Sequence, residues 1–376
     1  MFVWKDNLQE EKMTKRIGIL TGGGDCPGLN AVIRAVAKSA MSKLDAKVIG
    51  IEDGFEGLVE GRSRELENRD VSGILSLGGT ILGSSNKGDP FHYPIETAEG
   101  TVEIIDESAR ALRNYKRLGL DAFVCIGGDG TMHICQKLFE MGVNIIGVPK
   151  TIDNDLAATD VTFGYDSALY VATEALDRLH TTASSHHRVM VIEVMGRYAG
   201  WIALGAGLAG GADVILLPEI PFHWDSIYQR VRERSLGGKR FSIICVAEGA
   251  KPHDEEMVIK EMDKKRSDAR RLGGIGEYIG EKITADTGLE TRITTLGHLQ
   301  RGGSPTPFDR NLGTKFGSHA INLVAEGKFG RMVALQGTSV VDVAIKDAIV
   351  EQKLVQPDCQ EVLAARAVGA SFGDPQ

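Results

Sequence analysis

A chain of 376 residues, 42 % hydrophobic and 25 % charged, has an ordinary globular composition and is long enough for two domains or one large domain with a cleft. Its formal net charge of −8 excludes a broadly basic nucleic-acid surface, so any anion site must be a local gathering of Arg and Lys. The five cysteines, Cys26, Cys125, Cys135, Cys245 and Cys359, include no CxxC pair and read as reduced thiols of a cytoplasmic protein. The first residues, MFVWKDNLQEEKMTK, are charged and lack the apolar stretch of a signal peptide. The most apolar run, Trp201 to Leu217, is interrupted by glycines and Asp213, and reads as a helix beside a strand, not as a membrane span.

Strands and helices alternate in chain order, which predicts an α/β architecture with largely parallel sheets. The first apolar run, Arg16 to Thr21, leads through GGGDCPG (Gly22 to Gly28) into a helix over Leu29 to Lys43. A strand over Lys47 to Ile51 precedes a turn-rich stretch, Gly54 to Gly61, and then Val71 to Leu77 and the glycine-rich GGTILGSSNKGDP. A helix over Glu103 to Leu118 carries acids early and bases late, which suits its dipole. Next come a strand over Ala122 to Ile126, a helix over Met132 to Met141 and a strand over Val143 to Val148. Beyond these the pattern predicts helices over Asp166 to His180, Gly200 to Leu208 and Trp224 to Arg234, interleaved with strands over Arg188 to Val194, Val214 to Leu217 and Phe241 to Ala247. The charged stretch Lys251 to Arg271 reads as a solvated helix. A helix near Gly276 to Thr287, a strand Thr291 to Thr295, a helix Leu312 to Ala325 and a strand Met332 to Gln336 follow. The tail beyond Pro357 has a short helical stretch to which no chemistry is assigned.

Three constellations carry chemistry. Glycines after a buried strand let the backbone turn sharply and present N–H groups to a phosphate, and this describes both GGGDCPG, with Gly23, and GGDGT, Gly127 to Thr131. Asp129 within the second loop is a candidate Mg²⁺ holder, because Mg²⁺ takes few carboxylates and keeps phosphate oxygens and water. The second constellation is PKTIDND, in which Lys150 precedes Asp153 and Asp155, two acids that share a side if the chain is extended. An Asp there can accept the proton of an attacking hydroxyl in phosphoryl transfer. The third is basic: Arg188, Arg197, Arg292, His298 and Arg301 all lie near strand ends, and Arg grips a phosphate with paired N–H groups. Glu248, also at a strand end, suits a sugar hydroxyl. Glycine loops in an α/β chain also admit a dinucleotide-binding oxidoreductase, although neither loop matches the spacing of that motif.

In chain order over about residues 16 to 336, the segments ILTGGGDCPGLNAVIR, GGTILGSS, IGGDGT, PKTIDND, SSHHRVMVIEVMGR, VAEG and LGHLQRGGSPTPFDR resemble the bacterial ATP-dependent phosphofructokinase superfamily. The resemblance implies two α/β domains, each a largely parallel sheet flanked by helices, with the active site in the cleft between them. Residues 13–164 with 300–350 would bind the donor, 165–299 would bind fructose 6-phosphate, and 351–376 would form a tail. It further implies Asp153 as catalytic base, Asp155 as its companion and Arg197 beside the reacting phosphoryl group. Gly23, Lys87, Gly128, Asp129, Gly130 and Thr131 would hold the donor, with Asp129 for Mg²⁺. Thr151, Ile152, Asp153, Met195, Gly196, Arg197 and Glu248 would surround the sugar, and Arg188, Arg292, His298 and Arg301 would clamp its 6-phosphate. Arg188 and Arg292 are expected to act from a neighbouring subunit, in a homodimer or homotetramer that binds neither nucleic acid nor membrane.

Two positions bear on the donor. Pyrophosphate users of the superfamily carry Asp at the Gly130 position, and Lys is typical of them at the Lys150 position, so this chain has the pattern of a mixed-donor subgroup. Steric and charge exclusion of a nucleotide by Asp is the stronger effect, so Gly130 makes ATP the expected donor and pyrophosphate the alternative. Lys87 and Asn86 stand where the superfamily has a donor-loop arginine. At the effector positions Arg34 and Arg62 match, but His180 and Gly237 replace bases and Asp213 replaces Glu. Weak phosphoenolpyruvate inhibition is therefore expected, and strong inhibition in steady-state assays would refute it.

Overall fold

The computed structural model describes residues 14–97, 100–238, 241–262 and 270–375. It opens with β1 (Arg16–Thr21), α1 (Leu29–Leu44), β2 (Lys47–Ile51), α2 (Gly54–Glu60) and β3 (Ser63–Leu66). A hairpin of β4 (Tyr93–Glu96) and β5 (Val102–Ile105) leads to α3 (Ser108–Arg117), β6 (Ala122–Gly127), α4 (Asp129–Glu140) and β7 (Ile145–Pro149). The second half comprises α5 (Tyr165–His186), β8 (Val189–Val194), α6 (Trp201–Ala209), β9 (Val214–Leu216), α7 (Trp224–Leu236) and β10 (Ser242–Ala247). It continues through β11 (Ile259–Met262), β12 (Arg270–Leu272), α8 (Ile275–Thr287), β13 (Thr291–Thr295) and a 3₁₀ turn, Gly297–Arg301. Then α9 (Pro307–Glu326), β14 (Arg331–Gln336), β15 (Ser339–Ala344) and α10 (Ile345–Ala348) return to the first half, and α11 (Gln360–Ala367) lies in the tail.

Two sheets organise the chain. The larger has the order β15-β14-β7-β6-β1-β2-β3, parallel except for its edge pairs β14–β15 and β2–β3. The smaller, β13-β8-β10-β9, is parallel throughout. The expected α/β class with largely parallel sheets is what is observed. Every residue of β6, β8 and β10 is buried, which explains why they are apolar at all positions but Glu193 and Ser242: strands covered by helices on both faces have no solvent side to alternate with. Helices α1 and α9 cover one face of the large sheet at very close range. A side chain at Gly317 would place its Cβ 2.8 Å from the backbone oxygen of Val32, so glycine there sets the spacing. Helix α9 begins at Pro307, earlier than the apolar periodicity indicates, because Thr306 Oγ1 accepts the Asp309 N–H and proline is preset for the first helical position.

Several expectations are corrected. The 251–271 stretch is not one helix: β11 and β12 pair antiparallel across it, and 263–269 lie outside the described residues. The turn-rich 54–61 segment is helix α2, and the helix expected from Glu103 begins only at Ser108 because Val102–Ile105 pairs with β4. The large sheet positions the site through its order. From β1 the chain runs outward to β2 and β3, then crosses back to place β6 on the other flank of β1. Loops leaving β1 and β6 therefore diverge and leave a crevice at their carboxyl ends, where open α/β sheets bind ligands.

Candidate active site

A cleft of about 1150 Å³ opens at that switch point and is lined from both sheets. From the large sheet come Gly23, Gly24 and Asp25 after β1, the first turn of α4, and Thr151, Asp153 and Asp155 after β7. From the small sheet come Glu193, Met195, Arg197 and Tyr198 at the end of β8, Glu248 after β10, and His298 and Arg301 in the 3₁₀ turn after β13.

Helix α4 aims its N-terminus into this cleft. Gly128 occupies the N-cap position in extended geometry without a side-chain cap, so the first-turn N–H groups and the positive end of the helix dipole face the space beside Asp129. Gly23, at φ +75°, lies in the left-handed region that glycine tolerates, and its carbonyl accepts the Ser84 hydroxyl. Beyond Gly130 there is open space: no heavy atom lies within 4 Å of the point where a Cβ would sit.

The β7 loop brings Asp153 and Asp155 to the cleft together. Between them Asn154 adopts a left-handed φ of 52°, and its Oδ1 accepts the Thr162 N–H at 3.1 Å. Burial raises the Asp153 carboxyl above the usual carboxylate range, against the pull of Arg301, Arg197 and Lys150. Asp155 is pushed up to about 7, first by burial and then by the charges of Asp153 and Asp129, and its Oδ1 is buried with no hydrogen-bond partner. Glu248 is likewise pushed up to about 7 by burial and by Asp153. Asp129 is raised by burial, offset by His133, whose Nε2 lies 3.6 Å from its carboxylate.

These shifts have a consequence for stability. Asp155 binds its proton more tightly folded than unfolded, so between its unfolded pKa near 4 and about 7 the fold loses stability as pH rises. Asp155→Asn removes that loss. Thermal melts of the unliganded variant should show its advantage over wild type growing from pH 5 to pH 8; an advantage that does not grow would contradict the assigned burial of charge.

The cations are arranged across the loop. Lys150 is 4 % exposed, and its Nζ donates to the Gly24 carbonyl, bridging the β7 and β1 loops. Arg301 Nη1 donates to the Asp25 carbonyl at 3.0 Å, so the 3₁₀ turn of one half touches the glycine loop of the other. The strand-end turn after β8 is held by Gly196, at φ +140°, whose carbonyl accepts the Gly249 N–H at 3.1 Å.

Five of the sequence-expected residues do not line the cleft, Gly196 in its backbone turn after β8 being one of them. Lys87 is exposed and outside the lining, which instead takes Ser85, Asn86 and Asp89 from its loop. Ile152 is fully buried in the hydrophobic core, where it anchors the loop that carries its neighbours. Arg188 and Arg292 lie toward the start of β8 and β13, and both guanidinium groups pair with Glu290. At about 3.3 Å per residue, β8 separates Arg188 from the cleft at its other end by roughly 20 Å. Sequence reasoning also missed lining residues. His133 and Lys137 follow Asp129 at i+4 and i+8 on α4, a helical stripe that periodicity could have flagged. Glu193 was hidden inside an apolar strand; it accepts the N–H groups of Gly274 and Gly276 at the start of α8.

At three of the effector positions, Arg62, Asp213 and His180, the polar groups have partners within the chain. Arg62 pairs with Asp53, Glu56 and Glu60, Asp213 pairs with Arg234 at 2.9 Å, and His180 Nε2 donates to the Gly210 carbonyl at 2.6 Å. All five cysteines are free thiols, four of them buried. No helix among the described residues is long and apolar enough to cross a membrane.

Paired carboxylates between a helix N-terminus and a cluster of Arg, Lys and His, at the switch point of a parallel sheet, define an α/β protein whose cleft is built for phosphorylated ligands. The phosphofructokinase family matches residues 16–324, and the chain belongs to that family. It is 54 % identical to an ATP-dependent 6-phosphofructokinase of Chloroflexus aggregans, over 96 % of this chain and 98 % of the relative. It is 50 % identical to a pyrophosphate–fructose 6-phosphate 1-phosphotransferase of Amycolatopsis methanolica, over 92 % of this chain and 98 % of the relative. Among solved structures, Pichia pastoris phosphofructokinase superposes with a TM-score of 0.76 at 32 % identity, covering 89 % of this chain and 35 % of that longer one. Family membership sets aside the oxidoreductase alternative.

Proposed function

We propose that this protein is an ATP-dependent 6-phosphofructokinase, transferring the terminal phosphoryl group of ATP to the 1-hydroxyl of fructose 6-phosphate. The observation that carries this reading is the placement of Asp153 and Asp155 between the open N-terminus of α4 on one side and Arg197, Glu248, His298 and Arg301 on the other. Residues 13–164 with 300–350 form the donor side, 165–299 the sugar side. Gly23 and Gly128 to Thr131 cradle the donor phosphates with backbone N–H groups. His298 and Arg301 grip the 6-phosphate, Glu248 accepts sugar hydroxyls, and Thr151 and Met195 bound the sugar. Asp153 accepts the 1-hydroxyl proton as that oxygen bonds to phosphorus and the bond to the leaving ADP oxygen breaks. Arg197, whose charge opposes part of the burial-driven rise of both Asp153 and Glu248, offsets the negative charge spread over the transferring group.

The residues present fit a Mg²⁺ shared with a nucleotide. Among the described residues no three metal-ligating side chains converge to cage an ion, as suits an ion held by few carboxylates and phosphate oxygens. The partnerless buried oxygen of Asp155 and the repulsion that it meets from Asp153 and Asp129 mark a site that favours a cation. Asp129 would hold it, and when bound it would neutralise charge on the donor oxygens.

Arg188 and Arg292 lie at the far end of β8 from the cleft, which supports their service to a neighbouring subunit's site in a homodimer or homotetramer; a monomer mass in sedimentation velocity at assay concentration would remove this part of the reading. The cytoplasm is the proposed location, in keeping with the free thiols. One observation favours the second reading, pyrophosphate as donor: Lys150 adds a buried cation within the donor side of the cleft. Formation of fructose 1,6-bisphosphate from fructose 6-phosphate and MgATP, followed through aldolase-coupled NADH oxidation, tests the main reading; no product with active coupling enzymes would reject it.

A further inference from the structure

Residues 352–355 belong to neither sheet, yet they touch the acidic loop more intimately than any other part of the tail. Gln352 forms an antiparallel bridge with Leu156 and lines the cleft. The Lys353 N–H donates to the Asp155 carbonyl at 2.8 Å. Its ammonium then donates to Asn154 Oδ1 at 3.0 Å, the Thr159 carbonyl at 3.0 Å and the Asp160 carbonyl at 2.8 Å. An ammonium has three protons, so this complement is full, which is unusual for a lysine whose side chain merely rests on a surface. The Lys353 carbonyl accepts the Trp201 indole N–H at 2.7 Å, and the ammonium lies 5.9 Å from the centre of the Trp201 ring. Two residues on, the Val355 N–H donates at 2.9 Å to Glu219, which also accepts the Gly200 N–H at the start of α6. The strap thus joins the acidic loop of the large sheet to the small-sheet half.

We propose that Lys353 is a positioning residue for phosphoryl transfer, fixing the directions of the Asp153 and Asp155 carboxylates by gripping the residue between them. This rests on the reading of Asp153 as the base. Asn154 is a non-glycine residue in left-handed geometry, and a change in its backbone angles swings both flanking carboxylates. Lys353 and the Thr162 N–H hold the same Asn154 oxygen, so that conformation is pinned from two sides. Lys353 is absent from the cleft lining, whereas Asp153 and Asp155 are within it, so its influence on the reacting atoms passes through the loop. A misplacement of about 1 Å in such a group is enough to cost on the order of 100-fold in rate.

The test is steady-state kinetics on Lys353→Met and Lys353→Cys, the latter before and after alkylation with 2-bromoethylamine, which rebuilds a lysine-length ammonium. Alkylated wild type is the control, because Cys359 is partly exposed. The expected result is a fall in kcat of about tenfold to 100-fold, KM values for both substrates within about twofold of wild type, and recovery of most of the lost kcat on alkylation. Retention of wild-type kcat, or a loss that alkylation of a folded Cys variant does not restore, would overturn the proposal. Should Lys353→Met fail to fold, Lys353→Gln takes its place under the same criteria. Near-native turnover in Asp153→Ser would instead remove the reading beneath it, so the two failures are distinguishable.

Discussion

Asp153→Ser lowers kcat by several orders of magnitude while leaving KM for fructose 6-phosphate near the wild-type value. The substitution removes both the proton acceptor and the negative charge that orients the attacking hydroxyl, losses that are each worth about 10²-fold or more. It leaves untouched Arg301 and His298, the groups proposed to bind the 6-phosphate, so the ground-state complex should form. Stability should not fall either, since burial makes the Asp153 charge unfavourable in the unliganded fold. Steady-state kinetics and a thermal melt on the same preparation check both halves; near-native turnover would assign the base elsewhere.

Gly130→Asp lowers kcat/KM for ATP by about 100-fold or more, corresponding to ~2.7 kcal/mol of transition-state binding at 1.36 kcal/mol per tenfold. Because the Cβ meets open space and acids suit the first turn of a helix, the fold should tolerate the change. The new carboxylate then faces the donor phosphates, and two like charges about 4 Å apart repel by roughly 4 kcal/mol at an effective dielectric of 20. Pyrophosphate, which has no nucleoside-linked phosphate to accommodate at that point, should lose less. The ratio of kcat/KM values for the two donors is the readout; an ATP value within a few-fold of wild type would mean that Gly130 does not control donor choice.

The cleft's loops were legible in the amino-acid sequence for a physical reason. Glycines and acids that end buried apolar runs have little structural use, so GGGDCPG, GGDGT and PKTIDND stand out against β1, β6 and β7. Arg188 and Arg292 were expected to grip a phosphate from their residue type near strand ends, but the strand length places them away from this chain's own cleft. Less legible were elements whose residues carry no strong period. The edge strands β3 and β15 and the β4–β5 hairpin are short and half-exposed, and the charged 251–271 stretch concealed two antiparallel strands. Glu193 and Lys353 escaped notice because each makes its hydrogen bonds to groups distant in sequence. Their use follows from what the fold packs beside them, not from any spacing.

The effector positions carry a related lesson. Arg62 matches in residue type, yet it is engaged by three carboxylates of its own segment, so type alone overstates its availability to an anion.

The most direct test of the account is a coupled assay with fructose 6-phosphate and Mg²⁺ in which ATP and pyrophosphate are compared at equal concentration. The account predicts fructose 1,6-bisphosphate formation with ATP at a rate clearly above that with pyrophosphate. A faster rate with pyrophosphate would contradict it, and would make Lys150 rather than Gly130 the residue that decides the donor.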